Sequence, residues 1–343
     1  MNNKTNILNK QTAAKIFLAL FAVVAICALS ACSQPNAEDK AKASTENEDK
    51  ISVVASFYPM ADFTKKIGGE RVEVKTLVPN GTEPHDWEPT ATDIMDIEKS
   101  QVLVYSGAGM EHWVDDTIES LSNKDLVVCD ASRGIVLLNR EQGEHTKAVH
   151  KKEAEEAKDK DVPKETSDET QSDPHVWLNP KNVKIELGNI RDALVKADPE
   201  GAQIYQENYE TYIKKCDKLD EEFESALKSH EGEEIVVSHQ AFGYLCDEYG
   251  LKQIPIEGIN ADSEPSAAQM KKIIDYVKEH NIKVIFTEEL LSPKLAETIS
   301  HESGASIEVL SPIEGLTEEQ QNNEDDYFTI MEDNLKKLEK ALS

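Results

Sequence analysis

Four residues of metal-binding type stand where predicted elements end or begin. His85 lies in "PNGTEPHDWEPT", after a strand that ends near Pro79. His175 lies in "SDPHVWLNP", ahead of a helix. His239 lies in "VVSHQAFG", where a strand gives way to a helix, and Glu314 lies in "LSPIEGLT", after the last strand. Neutral imidazole and carboxylate are zinc ligands, and four of them close a tetrahedron. With a dication, three His and one Glu leave a net charge of about +1. Asp173 and Asp86 are placed to accept hydrogen bonds from the imidazole nitrogens that face away from a metal. The intervals are long, 90, 64 and 75 residues, and no HExxH motif occurs. Spacing alone therefore leaves the set open, because each His taken singly also fits a surface or a structural place.

The elements that must position these residues come in two series. "KISVVASFYPM", "RVEVKTLVP", "QVLVYSG" and "DLVVCDAS" read as strands rich in β-branched residues, the first ending in an aromatic turn. "DFTKKIGG", "TATDIMDIEKS" and "HWVDDTIESLSN" read as the helices between and after them. "EEIVVSHQ", "LKQIPIEGI", "IKVIFTEE" and "ASIEVLSPIEG" repeat the strand pattern, interleaved with "PSAAQMKKIIDYVKEHN" and "SPKLAETISHESG" and closed by "DDYFTIMEDNLKKLEKALS". Strands alternating with helices predict an α/β fold of two lobes with mostly parallel sheets. Between the series, "NVKIELGNIRDALVKAD" is helical. A second helix of about 30 residues follows, with Asp198 as N-cap and Pro199 at its first position. At about 45 Å it is longer than one compact lobe needs, so it reads as a rigid strut between two lobes. Ligands of open α/β sheets gather beyond the carboxyl ends of the strands. Three of the four candidates follow strands, which places a metal site in the interlobe cleft.

The boundaries expected from composition are 1–31 for a signal peptide, 32–50 for a tether and 51–180 for the first lobe. The linking helices take 181–230 and the second lobe 231–343. Lys4, Lys10 and Lys15 precede the apolar "IFLALFAVVAICALSAC", the layout of an export signal. The run is short for a membrane span. "LSAC", Leu29 to Cys32, resembles a bacterial lipobox, which implies cleavage before Cys32, lipid on its thiol and a place on the outer face of the cell membrane. Residues 139–172 are charged, mixed in sign and nearly free of bulky apolar side chains, and they read as a disordered acidic loop carrying His145 and His150. Cys129, Cys216 and Cys246 have no CxxC spacing, and either one disulfide or buried thiols satisfies them. With 37 Lys+Arg against 66 Asp+Glu and a formal charge of −29, nucleic acid is excluded as a partner by repulsion.

Taken together, "PNGTEPHDWEPT", "SDPHVWLNP", "VVSHQAFGYL", "LSPKLAETIS" and "VLSPIEGLT" resemble the metal-binding lipoproteins of zinc and manganese ABC importers, the ZnuA/AdcA-like cluster A-I of solute-binding proteins. The resemblance runs from about Ile51 to the C-terminus, with the motifs in the family's order. It implies two α/β lobes joined by one rigid helix, and metal in the cleft. Residue by residue, His85, His175 and His239 match the family's three His ligands, and Glu314 matches the carboxylate of the AdcA-like branch. Manganese and iron members carry Glu at the third position, so His239 implies Zn²⁺. The implied partners are an ABC permease and its cytoplasmic ATPase, with a monomer tethered to the membrane through its N-terminal lipid. Zinc members often carry a His-rich loop before the second ligand. Here it holds only His145 and His150, which leaves weak metal capture and a plain solvated spacer both open.

The chain is therefore expected to bind and deliver zinc and to perform no catalysis. A manganese-binding member of the same family is the nearest alternative. A secreted zinc hydrolase, with Glu314 as general base and water on the metal, is a further one, but the chain has no nucleophile elbow. A cell-adhesion role can coexist with transport. His112 is expected on a helix rim, and His230, His280 and His301 near helix ends. Trp87, Trp113 and Trp177 are expected to pack around the cleft, and Glu83 and Glu88 to flank His85 at the surface.

Overall fold

The computed structural model describes residues 50–139, 172–258 and 265–343, of which Ile51–Ser343 belong to one compact unit. Cys32 with its lipobox, the tether before Lys50, and His145 and His150 of the acidic loop lie outside the described residues.

The first lobe is a four-stranded parallel sheet of β1 (Ile51–Ala55), β2 (Val72–Thr76), β3 (Val102–Tyr105) and β4 (Val127–Asp130), in the order β2-β1-β3-β4. The inner strands β1 and β3 are covered on both faces and read as near-continuous apolar runs. The edge strand β2 alternates Val with Glu and Lys. Parallel pairing requires crossovers. These are α1 (Tyr58–Gly68) and α2 (Ala91–Lys99), while α3 (Val114–Ser120) joins β3 to β4. Thr90 and Asp93 close a capping box at the start of α2. The aromatic turn expected after β1 is instead the first turn of α1, with Pro59 inside it. Proline is tolerated there because its missing N–H would have had no intrahelical partner.

Two antiparallel helices follow, α4 (Pro180–Ala197) and α5 (Ala202–Leu227). The 26 residues of α5 span about 39 Å, and short 3₁₀ turns, Pro199–Gly201 and Lys228–His230, extend it at both ends. Asp198 stands at the expected N-cap position, ahead of Pro199 and the 3₁₀ turn, but its side chain makes no capping hydrogen bond. Its carboxylate accepts from Arg71 at 2.7 and 2.9 Å and from the Tyr205 hydroxyl at 2.6 Å, so the chain turns through Pro199 before the α-helix starts. This ion pair fastens the beginning of β2 to the linking helices.

The second lobe repeats the topology of the first. β5 (Glu234–Val237), β6 (Lys252–Pro255), β7 (Val284–Thr287) and β8 (Ser306–Val309) pair in parallel in the order β6-β5-β7-β8. Its helices are α6 (Gly243–Tyr249), α7 (Ala267–Glu279) and α8 (Lys294–Ser303), then a short α9 (Glu318–Asn322) and the closing α10 (Tyr327–Leu342). One large core unites the lobes. Val53 and Ala55 of β1, Leu187 and Ile190 of α4, Phe223 of α5, Val237 of β5 and Met331 of α10 all belong to it. The opposite sheet faces carry smaller cores, around Val54 and Leu103 in one lobe and Val236 and Ile285 in the other. This is the face alternation of neighbouring strand residues. Cys129, Cys216 and Cys246 are free and buried, so no disulfide forms among them. Burial pushes the Cys129 and Cys216 thiols up to about 12, which makes them packing residues rather than nucleophiles.

In each sheet the strand order reverses direction between two neighbours, β1/β3 and β5/β7. Crevices of open α/β folds form outside the carboxyl ends at such switch points.

Candidate metal centre

Each of the four candidate residues is delivered by a loop leaving the carboxyl end of a sheet or entering a helix. His85 sits on the segment between β2 and α2, where the Glu83 carboxylate accepts the His85 backbone N–H at 3.1 Å. His175 precedes a 3₁₀ turn, Val176–Leu178, that leads into α4. Asn179 caps α4 by accepting from the Lys181 N–H. His239 follows β5 and Glu314 follows β8. All four are buried, His175 and His239 completely.

Their ligand atoms lie within 4.8 Å of one another. His175 Nε2 is 3.1 Å from His85 Nε2 and 3.2 Å from His239 Nε2. Glu314 Oε1 is 3.2 Å from His85 Nε2, 3.2 Å from His175 Nε2 and 3.6 Å from His239 Nε2. A tetrahedron built on zinc–ligand bonds of 2.0–2.1 Å has edges of about 3.3 Å. The five measured edges bracket that value, and the sixth, between His85 and His239, lies within 4.8 Å, so the four atoms are grouped on the scale of a tetrahedral dication site.

In His175 and His239 the nitrogen facing away is held by a carboxylate. Asp173 Oδ1 takes the His175 backbone N–H at 3.0 Å and its Nδ1–H at 2.8 Å. Glu288, directly after β7, does the same for His239, at 3.2 Å and 2.7 Å. A carboxylate on Nδ1 selects the tautomer that leaves the Nε2 lone pair free, and it raises ligand basicity. Burial alone would lower the His175 pKa, yet Asp173 and Glu314 raise it. Burial likewise opposes protonation of His239, but Glu288 and Glu314 hold its pKa well above the usual range. Burial would push Glu314 up, and the three imidazoles hold it well below the ordinary carboxylate range. Three buried carboxylates around three imidazoles make this a cavity whose field calls for a cation.

Among the expected partners of the imidazoles, Asp173 stands on His175. Asp86 is exposed and no hydrogen bond joins it to an imidazole; the loop turns it outward, and Glu288 stands where a second acceptor was sought. Glu288 was not foreseen. Its one sequence signal is an acid immediately following the apolar strand "VIFT". Glu83 is half-buried rather than at the surface, and burial raises its pKa. The remaining described His residues are elsewhere. His112 pairs with exposed Glu88 at 2.8 Å, His230 with Glu233, His280 with Glu234, and His301 is exposed. Trp87 packs edge-on against Trp113 at 5.6 Å, and Trp177 is fully buried beside His175.

The loop carrying Glu314 is unusual. Ile313 is a buried, β-branched residue in the left-handed region, at φ 60°. Such a residue costs about 1–3 kcal/mol and persists only where its surroundings over-determine it. The root of the acidic loop is likewise pinned. Asn139 bridges Ser172, the Tyr244 hydroxyl accepts from the Leu138 N–H at 3.0 Å, and it donates to the Asp173 carbonyl at 2.9 Å.

Comparison with known proteins agrees with this geometry. The family described as "Zinc-uptake complex component A periplasmic" matches residues 53–341. The high-affinity zinc uptake system protein ZnuA of Bacillus subtilis is 40% identical over 320 residues, covering 93% of this chain and 96% of its own length. The Zn(II)-bound ZnuA-like domain of Streptococcus pneumoniae AdcA superposes with a TM-score of 0.70 at 34% identity, over 85% of this chain and 99% of that one. The laminin-binding protein of Streptococcus agalactiae, described as an adhesin with metal-transporting activity, does so with a TM-score of 0.69 at 30% identity, over 86% and 100%.

Proposed function

Because the chain belongs to the zinc-uptake component A family, we propose that it captures Zn²⁺ outside the cytoplasmic membrane and delivers it to an ABC permease driven by a cytoplasmic ATPase. His85, His175, His239 and Glu314 are the ligands in this reading, oriented by Asp173 and Glu288. The observation that carries it is the buried set of three Nε2 atoms and one carboxylate oxygen at tetrahedral edge lengths. Imidazole-rich donor sets suit zinc, whereas hard oxygen donors suit manganese. The four ligands fill the coordination sphere, leaving no open position for a reacting water. The protein is thus a carrier rather than an enzyme.

In the same reading Cys32 carries the lipid that anchors the chain, and the segment around His145 and His150 is a capture loop or a spacer. Metal analysis of protein purified without added metal tests the central claim. One zinc per chain, lost in His239→Ala, is the expected result, and stoichiometric manganese overturns it. Joining Asn139 to Ser172 through a short turn removes residues 140–171, and uptake under zinc starvation then separates capture from spacing. The laminin-binding neighbour favours one added measurement, binding of the intact protein to immobilised laminin. No binding above a zinc-carrier control rejects an adhesive role.

A further inference from the structure

The loop that presents Glu314 is held by bonds from two distant elements. Asn334 of α10, fully buried, accepts the Ser311 N–H at 2.9 Å and donates to the Ser311 carbonyl at 2.7 Å. Ser311 Oγ accepts the Ile313 N–H at 3.2 Å. The Trp177 indole N–H donates to the Pro312 carbonyl at 2.8 Å, across 135 residues and from one lobe to the other. Trp177 is itself fixed. The Tyr327 hydroxyl donates to its carbonyl at 2.8 Å, and its ring packs on Phe57 at 5.0 Å and on the His175 imidazole at 5.4 Å. These contacts surround the one described residue of the site loops whose backbone is strained and β-branched, Ile313 at φ 60°. A relaxed extended Ile313 would swing the next side chain, Glu314, away from the imidazoles.

We propose that Trp177 is a positioning residue. Its indole N–H latches the Glu314 loop to the turn that carries His175, so the fourth ligand is in place before metal arrives. The inference rests on the reading of Glu314 as a metal ligand and assigns what keeps it there. Trp177 touches no metal. It acts by making the left-handed Ile313 cheaper to hold than to release, which is preorganisation of a ligand by its supporting bonds.

Trp177→Phe keeps an aromatic ring against Phe57 and His175 and removes the N–H. Ser311→Ala removes the acceptor of the Ile313 N–H with little change in volume. Each is made in the full chain, alone and combined with Glu314→Ala. Zinc affinity is measured by competition with a chromogenic chelator, and the ligand field by the visible absorption of the Co²⁺-loaded protein. The expected result is a loss of about tenfold in zinc affinity for Trp177→Phe, with the Co²⁺ spectrum moving toward that of Glu314→Ala. In the Glu314→Ala background the same substitution should cost less than about twofold, because the group it positions is already gone. An equal loss in both backgrounds, or an unchanged affinity and spectrum, overturns the latch. If Glu314→Ala alone leaves affinity and spectrum intact, it is the ligand reading that fails. Should Trp177→Phe not fold, 3-benzothienylalanine at position 177, which keeps the bicyclic ring and lacks the N–H, decides by the same two outcomes.

Discussion

Glu186 of α4 offers a quantitative test of how the core is built beneath the site. It is completely buried, and neither carboxylate oxygen has a hydrogen-bond partner among the described residues. Burial, reinforced by the negative charges of Glu111 and Asp130, pushes its pKa from 4.5 up to about 8. The folded chain therefore keeps this proton over a range in which the unfolded chain has lost it. Stability contributed by the neutral acid is full below about pH 4.5, falls as the pH rises, and levels off above about pH 8. At about 1.4 kcal/mol per pH unit, the loss between pH 5 and pH 8 is on the order of 3 kcal/mol. Glu186→Gln keeps the shape and removes the ionisation. Glu111, raised by burial to about 7 although Ser56, Ser106 and Gly107 donate to it, titrates in both proteins and gives both profiles a slope of the same sign. Denaturant unfolding of the metal-free protein at pH 5, 6.5 and 8 should show the variant gaining about 3 kcal/mol on the parent across that interval. Parallel profiles would refute the reasoning, because they would mean that Glu186 ionises in the fold at an ordinary pKa. The effect bears on function: zinc at a hundred times its Kd adds about 2.7 kcal/mol to the loaded form, a gain of the same order as the loss from Glu186 alone.

Three further outcomes follow from the geometry. Glu288→Ala frees the His239 ring and should weaken zinc binding about 10- to 100-fold, read by chelator competition. Gly243→Ala should weaken it about tenfold while leaving α6 formed, because a Cβ there collides with Asp173 Oδ2 and pushes it off His175; unchanged affinity would show that Asp173 does not orient the imidazole. Arg71→Ala should cost about 1–2 kcal/mol in denaturant unfolding at pH 7, since it removes two charge-assisted bonds to Asp198. Arg71 holds the Asp198 pKa below its ordinary 3.8, so this stabilisation is complete above that pH and the difference between the two proteins should shrink as the pH falls below it.

The strands were legible because parallel sheets concentrate β-branched residues in short runs, and "ISVVA", "VLVY", "EIVV" and "VIFT" are such runs. Two lobes and a long linking helix followed from their alternation with helices. The candidate ligands were visible for a related reason: strand ends in open α/β folds face the crevice, and the His and Glu residues there stand in short Pro- and Gly-containing loops. What supports them was legible only where the support is local. Asp173 lies two residues from His175 and reaches both its backbone and its ring. Glu288 does the same for His239 from 49 residues away, and no pattern within either segment joins them. Asp86, adjacent to a ligand, was the more obvious choice by proximity and turns out to face solvent. The helix pattern of α4 gave no sign that Glu186 is an inward acid, because periodicity assigns charged residues to the solvent face by default. Nor does "SPIEG" announce a left-handed Ile, since a β-branched residue takes that conformation only when distant bonds from Asn334 and Trp177 impose it. The local code thus chooses which residues reach the cleft, and the long-range bonds decide how firmly each one is held there.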